Sequence, residues 1–311
     1  MAKRGSSDGS IVLFGDGRDW HGRSLLKAFK ARGIRPLVAP LGTCGFDTTT
    51  ATGLSIPGLG DRVPEGAFVR FVPGGSFEQV TMYLGVLHAL RELGVTVWND
   101  ARAIERCVDK STTTFFLQRS GIPTPRTWTG ISREAAEDLT RSFSAEGKRL
   151  VQKPLFGAQG VGLRMIEGVD DLAPDDEMNG LYYLQEFIPP AQKQHQDWRV
   201  FVCAGRVVAA MIRHGANWIT NIKQGAKAKA AIPSQDFIDM ALRAAACVGA
   251  DYAGVDIIQA RDGRFLVLEV NSMPAWNGLQ RVTKMRISDH VVAAFLDAAL
   301  SPARAEGREG A

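Results

Sequence analysis

Short apolar runs alternate with stretches of helical periodicity over the first hundred residues. Ile11 to Phe14 is an apolar run that ends in Gly-Asp-Gly, and Leu25, Leu26 and Phe29 then recur at helical spacing until Gly33 stops them. Pro36 to Pro40 brackets a second short strand, and Phe68 to Val72 reads as a third. A helix is expected from Ser76: Gln79 completes a capping box, Val80, Leu84 and Leu87 supply the apolar face, and Gly94 lies beyond its end. Val95 to Trp98 reads as the closing strand. Strands alternating with helices predict a small parallel α/β sheet over residues 10–100.

From about residue 101 the texture changes. A helical stretch containing DKSTTTFFLQRSG is followed by the proline-punctuated GIPTPRTW and by an amphipathic helix after Ser132. Strands are then expected at Arg149 to Lys153, Leu181 to Ile188, Arg199 to Ala204, Val207 to Ile212, Ala253 to Gln259 and Phe265 to Asn271. Ser234 introduces one more helix, with Phe237, Ala241, Ala244 and Val248 on its apolar face. The turns AGR and RDGR are short enough to close antiparallel hairpins, so this half reads as α+β. No fixed-period repeat is present, and the tail SPARAEGREGA reads as disordered over 301–311.

Composition sharpens this only in part. With 311 residues, 45% hydrophobic and 23% charged, the chain reads as a soluble globular protein long enough for about two ordinary domains. The net charge of +4 comes without a basic arm, so nucleic acid is not called for, and an anionic small molecule suits the balance. Cys44, Cys107, Cys203 and Cys247 are far apart and form neither a CxxC nor a zinc spacing; they read as buried thiols. The polar start MAKRGSSDGS carries no signal-type stretch and no span-length apolar run is present, which places the expected location in the cytoplasm, with no membrane partner.

Two motifs carry chemistry. In LVQKPLFGAQGVGL a strand bearing Lys153 opens into Gly157, Gly160 and Gly162, and such glycines let backbone N–H groups approach phosphate oxygens beside a fixed positive charge. It is neither a Walker A loop nor a dinucleotide fingerprint, and a plain hairpin turn would look the same. In AGVDIIQARDGRFLVLEVNS, Asp256, Glu269 and Asn271 interrupt two apolar strands. Glu269 and Asn271 stand two residues apart and so share a face, and the DGR turn can bring Asp256 across from them. Carboxylates buried in such strands call for a cation, and three oxygen donors without His or Cys suit Mg²⁺ that also binds phosphate. The bland reading is the polar side of an edge hairpin. Between the motifs, YYLQEFIPP ends a strand in a fashion that suits adenine, and DWRVFV places Asp197 and Arg199 close by.

The order of these pieces resembles the ATP-grasp ligases of the ribosomal-protein glutamate ligase (RimK) type. Lys110 in DKSTTTFFL, Lys153 with GAQGVG, QEFI, Asp197 and Arg199, Arg213, NIKQGA, GVDII and LEVNSMP follow in that group's order over about residues 68–300. Within it, VPGGSFEQVT, KPLFGAQGVG and NSMPAWNGLQ are most similar to tetrahydromethanopterin:α-L-glutamate ligases, although MPAWNG departs from the NxSPGxxG usual to the group. The resemblance implies an N-terminal pre-ATP-grasp domain over 10–100, a central ATP-grasp subdomain over 101–187 and a C-terminal one over 188–300. It implies ATP phosphates on Lys110 and Lys153 under the loop of Gly157, Gly160 and Gly162, adenine at Glu186 and Phe187, and ribose at Asp197 beside Arg199. Asp256, Glu269 and Asn271 would hold one or two Mg²⁺, or Mn²⁺ in their place. Arg213 and Asn221 would face an acyl phosphate, and Arg70, Gly74, Gly75 and Ser76 would lie by the acceptor carboxylate.

The activity so implied is ATP-dependent joining of a carboxylate to an amine, with an amino acid added to a tetrahydromethanopterin-type coenzyme. Two alternatives stand beside it: a ligase for another small-molecule, peptide or protein carboxylate, and a nucleotide-binding regulator without turnover. The five histidines are scattered and none reads as a general base, though His214 adjoins Arg213. The sequence leaves a homo-oligomer open.

Overall fold

The computed structural model describes residues 10–157, 159–191 and 194–301. The terminal tail beyond 301 and the first nine residues lie outside the described residues. Strand β1 (Ile11–Phe14), helix α1 (Trp20–Lys30) and strand β2 (Leu37–Ala39) open the fold as a strand, loop and helix returning to a strand. The small hairpin of β3 (Gly45–Phe46) and β4 (Leu54–Ser55) follows, then β5 (Gly66–Val69), α2 (Phe77–Glu92) and β6 (Thr96–Trp98). The four longer strands form one parallel sheet in the order β2, β1, β5, β6. The capping box of Ser76 and Gln79 is present at the start of α2. Strand β5 ends at Val69, short of the expected Val72, because Phe71 is exposed and Pro73 begins the turn into α2.

The helical stretch after residue 100 is two helices, α3 (Ala101–Val108) and α4 (Lys110–Arg119). Asp109 divides them: it ends α3 and caps α4, accepting from Ser111 N at 2.8 Å and Thr112 N at 3.2 Å. Then come β7 (Thr127–Gly130), α5 (Arg133–Ala145), β8 (Leu150–Lys153), β9 (Arg164–Ile166) and β10 (Tyr182–Glu186). They make an antiparallel sheet in the order β7, β10, β8, β9, with α5 packed on it. The third sheet holds β11 (His195–Cys203), β12 (Arg206–Gly215), β13 (Lys227–Ala230), β14 (Tyr252–Gln259) and β15 (Phe265–Asn271), in the order β13, β12, β11, β14, β15. Helix α6 (Gln235–Val248) covers one side of it, closed by Gly249 at φ +77°.

The chain ends with α7 (Asn277–Gln280) and α8 (Ile287–Ala299), and α8 returns to the first sheet. Phe295 stacks edge-on against Phe29, Phe68 and Trp98 in a core that also takes in Phe201, Tyr252 and Trp276 from the third sheet and its following loop. Burying one such ring contributes about 1.5–3 kcal/mol, so the first and third sheets are joined by a continuous apolar core. Buried Asn99 adds a polar seam: its Oδ1 accepts from Asp251 N at 2.7 Å and Tyr252 N at 3.1 Å. Among the described residues no helix is long and apolar enough to cross a membrane.

Candidate active site

The floor of the main cavity is the β11, β14, β15 part of the third sheet. Asp256 lies opposite Glu269 and Gly254 opposite Asn271, with an irregularity just after Asp256. The two-residue spacing of Glu269 and Asn271 does put them on one side, since Asn271 Nδ2 donates to Glu269 Oε1 at 2.9 Å. Glu269 takes part in no ion pair among the described residues, so its charge faces the cavity it lines.

Asp256 is satisfied differently from the expectation. Arg199 Nε and Nη2 grip its carboxylate as a fork, the second bond at 2.7 Å, and Arg213 Nη2 stands 3.0 Å from Asp256 Oδ2. Arg213 in turn forks Asp197, with Nε at 2.7 Å from Oδ1 and Nη2 on Oδ2. All four are buried, between 3% and 8% exposed. Burial alone would push the Asp256 carboxyl up; the two guanidiniums outweigh it and hold it below the usual range. The cation that makes these carboxylates tolerable is therefore arginine. Arg199 stands behind Asp256 and is absent from the cavity lining, whereas Asp197 and Arg213 reach it. His214 is next to Arg213 in sequence, but alternation along β12 sends it to the opposite side of the sheet.

The roof is the β8–β9 hairpin with its glycine loop, and the hairpin-turn and phosphate-cover readings are compatible. Gly160 has φ +73°, and a Cβ there would sit 2.6 Å from Asn221 Oδ1 and 2.8 Å from Ile219 Cγ2. The loop thus leans on the segment after β12, where Gln224 Nε2 also donates to Gln159 O at 3.4 Å. Gly157 lines the cavity as well; Gly162, φ +75°, packs at Pro154. Lys153 Nζ donates to Gln185 Oε1 at 2.6 Å, and Lys110 Nζ donates to Leu155 O at 3.1 Å and Gly157 O at 2.9 Å. Burial lowers both lysines, Lys153 to about 8, where Lys110 pushes the same way and Glu269 and Asp256 act against it. Two lysines and one carboxylate, none of them in an ion pair among the described residues, therefore meet under the loop.

The cavity encloses about 150 Å³. Small-molecule sites are commonly about 300–1,000 Å³, so the space beneath the loop is small for such a site. At the side, Glu186 N donates to Arg126 O at 2.8 Å and Phe187 N to Arg149 O at 2.9 Å. The Glu186 carboxylate faces Arg126 Nε at 2.8 Å, and the Phe187 ring meets Trp218 edge-on at 6.2 Å. Trp218 was missed in the sequence; its one signal is an isolated aromatic in the polar segment GANWITN.

Arg70, Gly74, Gly75 and Ser76 do not line this cavity. Gly74 and Gly75 are exposed, and the Ser76 hydroxyl is used in capping α2 and on Glu78. Arg70 lines a second cleft of about 320 Å³. Its Nη1 donates to Met273 O at 3.2 Å, and its guanidinium lies 5.3 Å from the Trp276 ring centre. His21 accepts from Trp276 N at Nε2, 3.0 Å, and faces Asp19 at Nδ1, 3.2 Å, a geometry that requires a neutral ring; burial, helped by Arg70, lowers it to about 4. The departing MPAWNG segment is thus the strap that ties the third sheet to the first.

A RimK-like ATP-grasp domain matches residues 107–295. The chain belongs to the RimK-like ATP-grasp family. It is an ATP-grasp ligase, and its similarity to tetrahydromethanopterin:α-L-glutamate ligases extends beyond the matched domain. The chain is 34% identical over 206 residues to the ligase of that name from Methanococcus maripaludis, covering 64% of this chain and 68% of the relative. The corresponding ligase of Methanosarcina acetivorans is 26% identical over 306 residues, covering 86% and 92%. The solved structure of the ATP-grasp ligase PsnB, complexed with a phosphomimetic variant of a minimal precursor, Mg and ADP, superposes with a TM-score of 0.75 at 24% identity, covering 94% of this chain and 99% of PsnB. That likeness establishes the shared fold.

Proposed function

We propose that this ligase uses Mg-ATP to activate a carboxylate as an acyl phosphate and joins it to the amine of an amino acid, the carboxylate belonging to a tetrahydromethanopterin-type coenzyme or its precursor. The observation that carries the reading is the meeting of Lys110, Lys153 and Glu269 beneath a glycine loop in one cavity. The nucleotide lies between the central unit (101–187) and the C-terminal unit (188–300), with adenine at the edge formed by Glu186 and Phe187. The curated relatives named above carry the coenzyme and glutamate in their names, and that supports the substrate class. Peptide ligation is the second reading, favoured by the precursor-bound PsnB fold neighbour.

The donor set fits a hard divalent cation. No group of three or more His, Cys, Asp or Glu close enough to hold a metal occurs among the described residues. Glu269, Asn271 and one oxygen edge of Asp256 would therefore share one or two Mg²⁺ with phosphate oxygens and water, which suits an ion that keeps part of its hydration shell. When bound, Mg²⁺ neutralises charge on the phosphates. Lys110 and Lys153 add fixed positive charge at the same place, so phosphoryl transfer rests on positioning and needs no covalent enzyme intermediate. Asp197 holds Arg213 by two nitrogens, Nε and Nη2, which fixes the guanidinium at the cavity wall where the tetrahedral intermediate would form; Asp197 orients this arginine, and any ribose contact would be additional. Asn221 meets the closed loop from below.

Loop closure excludes water from the acyl phosphate. Gly160→Val would bring a β-branched side chain to positive φ and into Asn221 and Ile219, so closure is expected to fail. The expected outcome is a lower rate, by roughly tenfold or more given about 1–3 kcal/mol of backbone strain, and a larger share of ATP hydrolysed without amide formation. The amide-to-ADP ratio, with hydrogen exchange over residues 155–163 with and without Mg-ATP, reads both. An unchanged ratio and equal protection would leave the loop as a structural turn.

A further inference from the structure

The second cleft sits at the carboxyl ends of β1, β2 and β5, the edge at which open parallel sheets bind ligands. At about 320 Å³ it has the size of a small-molecule site. Two of its charged groups, Arg70 and Asp16, lack an ion pair among the described residues. Arg70 is its one cationic lining residue and makes no ion pair among the described residues, and Arg70 Nε is buried without a hydrogen-bond partner. The guanidinium is nevertheless fixed, by Met273 O on one nitrogen and by Trp276 beneath, so its planar fork is presented in one orientation. Asp16 is held in place through Oδ1, which accepts from Arg18 N at 2.9 Å and Asp19 N at 3.4 Å, and it too makes no ion pair among the described residues. Asp19 differs: its oxygens already serve Gly22 N and His21. Leu13, Leu41 and Phe71 give the cleft an apolar wall.

A fixed guanidinium and an anchored carboxylate, neither in an ion pair among the described residues and the guanidinium balanced only through space by Asp19, line one small cleft with an apolar wall and are complementary to a zwitterion with a short stem. We propose that this cleft binds the free α-amino acid that supplies the amine, its carboxylate on the Arg70 fork and its ammonium on Asp16. The proposal rests on the ligase reading for the amino acid's role, and on the cleft alone for its binding. The strap links this cleft to the third sheet: Met273, whose carbonyl accepts from Arg70, is two residues from Asn271, roughly 7 Å of extended chain.

The test is binding by the full chain without nucleotide. Each of the common L-amino acids is titrated by saturation-transfer NMR and calorimetry, and the strongest binder is compared with its des-amino and decarboxylated analogues. At least one amino acid is expected to bind, with both analogues at least tenfold weaker. Arg70→Gln and Asp16→Asn are each expected to weaken it tenfold or more. Because Arg70 also holds the strap, Gly42→Leu is the decisive variant. A Cβ at Gly42 would meet only ordinary contacts, Tyr83 Oη at 3.7 Å and Pro73 Cγ at 3.9 Å, so a larger side chain can start there, in the lining of the cleft. It should abolish amino-acid binding and leave ATP affinity and melting temperature in place. No binding by any amino acid, or binding indifferent to Gly42→Leu, overturns the proposal. Binding that behaves as expected in a chain that never turns over ATP would instead sink the ligase role and leave the cleft standing.

Discussion

Glu269→Gln is expected to cost about 10²–10³ in kcat, the scale of removing one preorganised charge from a site where charge develops. Gln has the shape of Glu and can still accept from Asn271 Nδ2, now 2.9 Å away, so the hairpin keeps its bond and stability should stay within about 0.5 kcal/mol. The variant removes the cavity-lining carboxylate that, among the described residues, no arginine or lysine holds in an ion pair, whereas Asp256 is gripped by two guanidiniums. The Mg²⁺ concentration needed for half-maximal rate should therefore rise as kcat falls. Near-normal turnover at saturating Mg²⁺ would move the metal elsewhere.

Lys153→Met should weaken ATP binding by about 10- to 100-fold, the worth of one charge-assisted hydrogen bond of about 1.5–3 kcal/mol, while its apolar stem preserves packing. The pH dependence gives a second handle. Burial, the largest cause, lowers Lys153 to about 8, so in the nucleotide-free protein the ammonium is charged below that pH and neutral above it. Phosphates bind the ammonium form. Apparent ATP affinity should thus be constant below about pH 8 and fall above it, by up to tenfold per pH unit until the pKa of the bound state is reached. In Lys153→Met this limb should vanish. Equal affinities for the two proteins across pH 7 to about 9.5 would remove Lys153 from the phosphate site.

What the sequence displayed was what local rules decide. The Ser76 and Gln79 box is set by a spacing of three residues, and the shared side of Glu269 and Asn271 by the two-residue repeat of a strand; both are in the structure. Asp109 before Ser111 and Thr112 has the form of a cap, yet with helix-compatible residues on both sides and neither Gly nor Pro between them, α3 and α4 read as one helical stretch. The short strands β9 and β13 gave no signal because three or four partly polar residues pair only as their neighbours dictate. The buried arginine and aspartate chain could not be foreseen. Arg199 meets Asp256 across 57 residues and Arg213 meets Asp197 across 16, and strand register, which a one-residue slip would invert, decides those partners. The meeting of His21 with Trp276, 255 residues apart, depends on the seating of one sheet upon another.

The central claim is that ATP cleavage is coupled to joining a carboxylate and an amine. It is tested most directly by following ADP release and amide formation together, with a carboxylate-bearing tetrahydropterin coenzyme alone, with an amino-acid panel alone, and with both, in the presence of Mg²⁺. The account predicts that ADP forms rapidly only when both partners are present and that one amide appears for each ADP. ATP that binds and is never cleaved in any combination, or ADP that forms at the same rate without either partner and without amide, would contradict it.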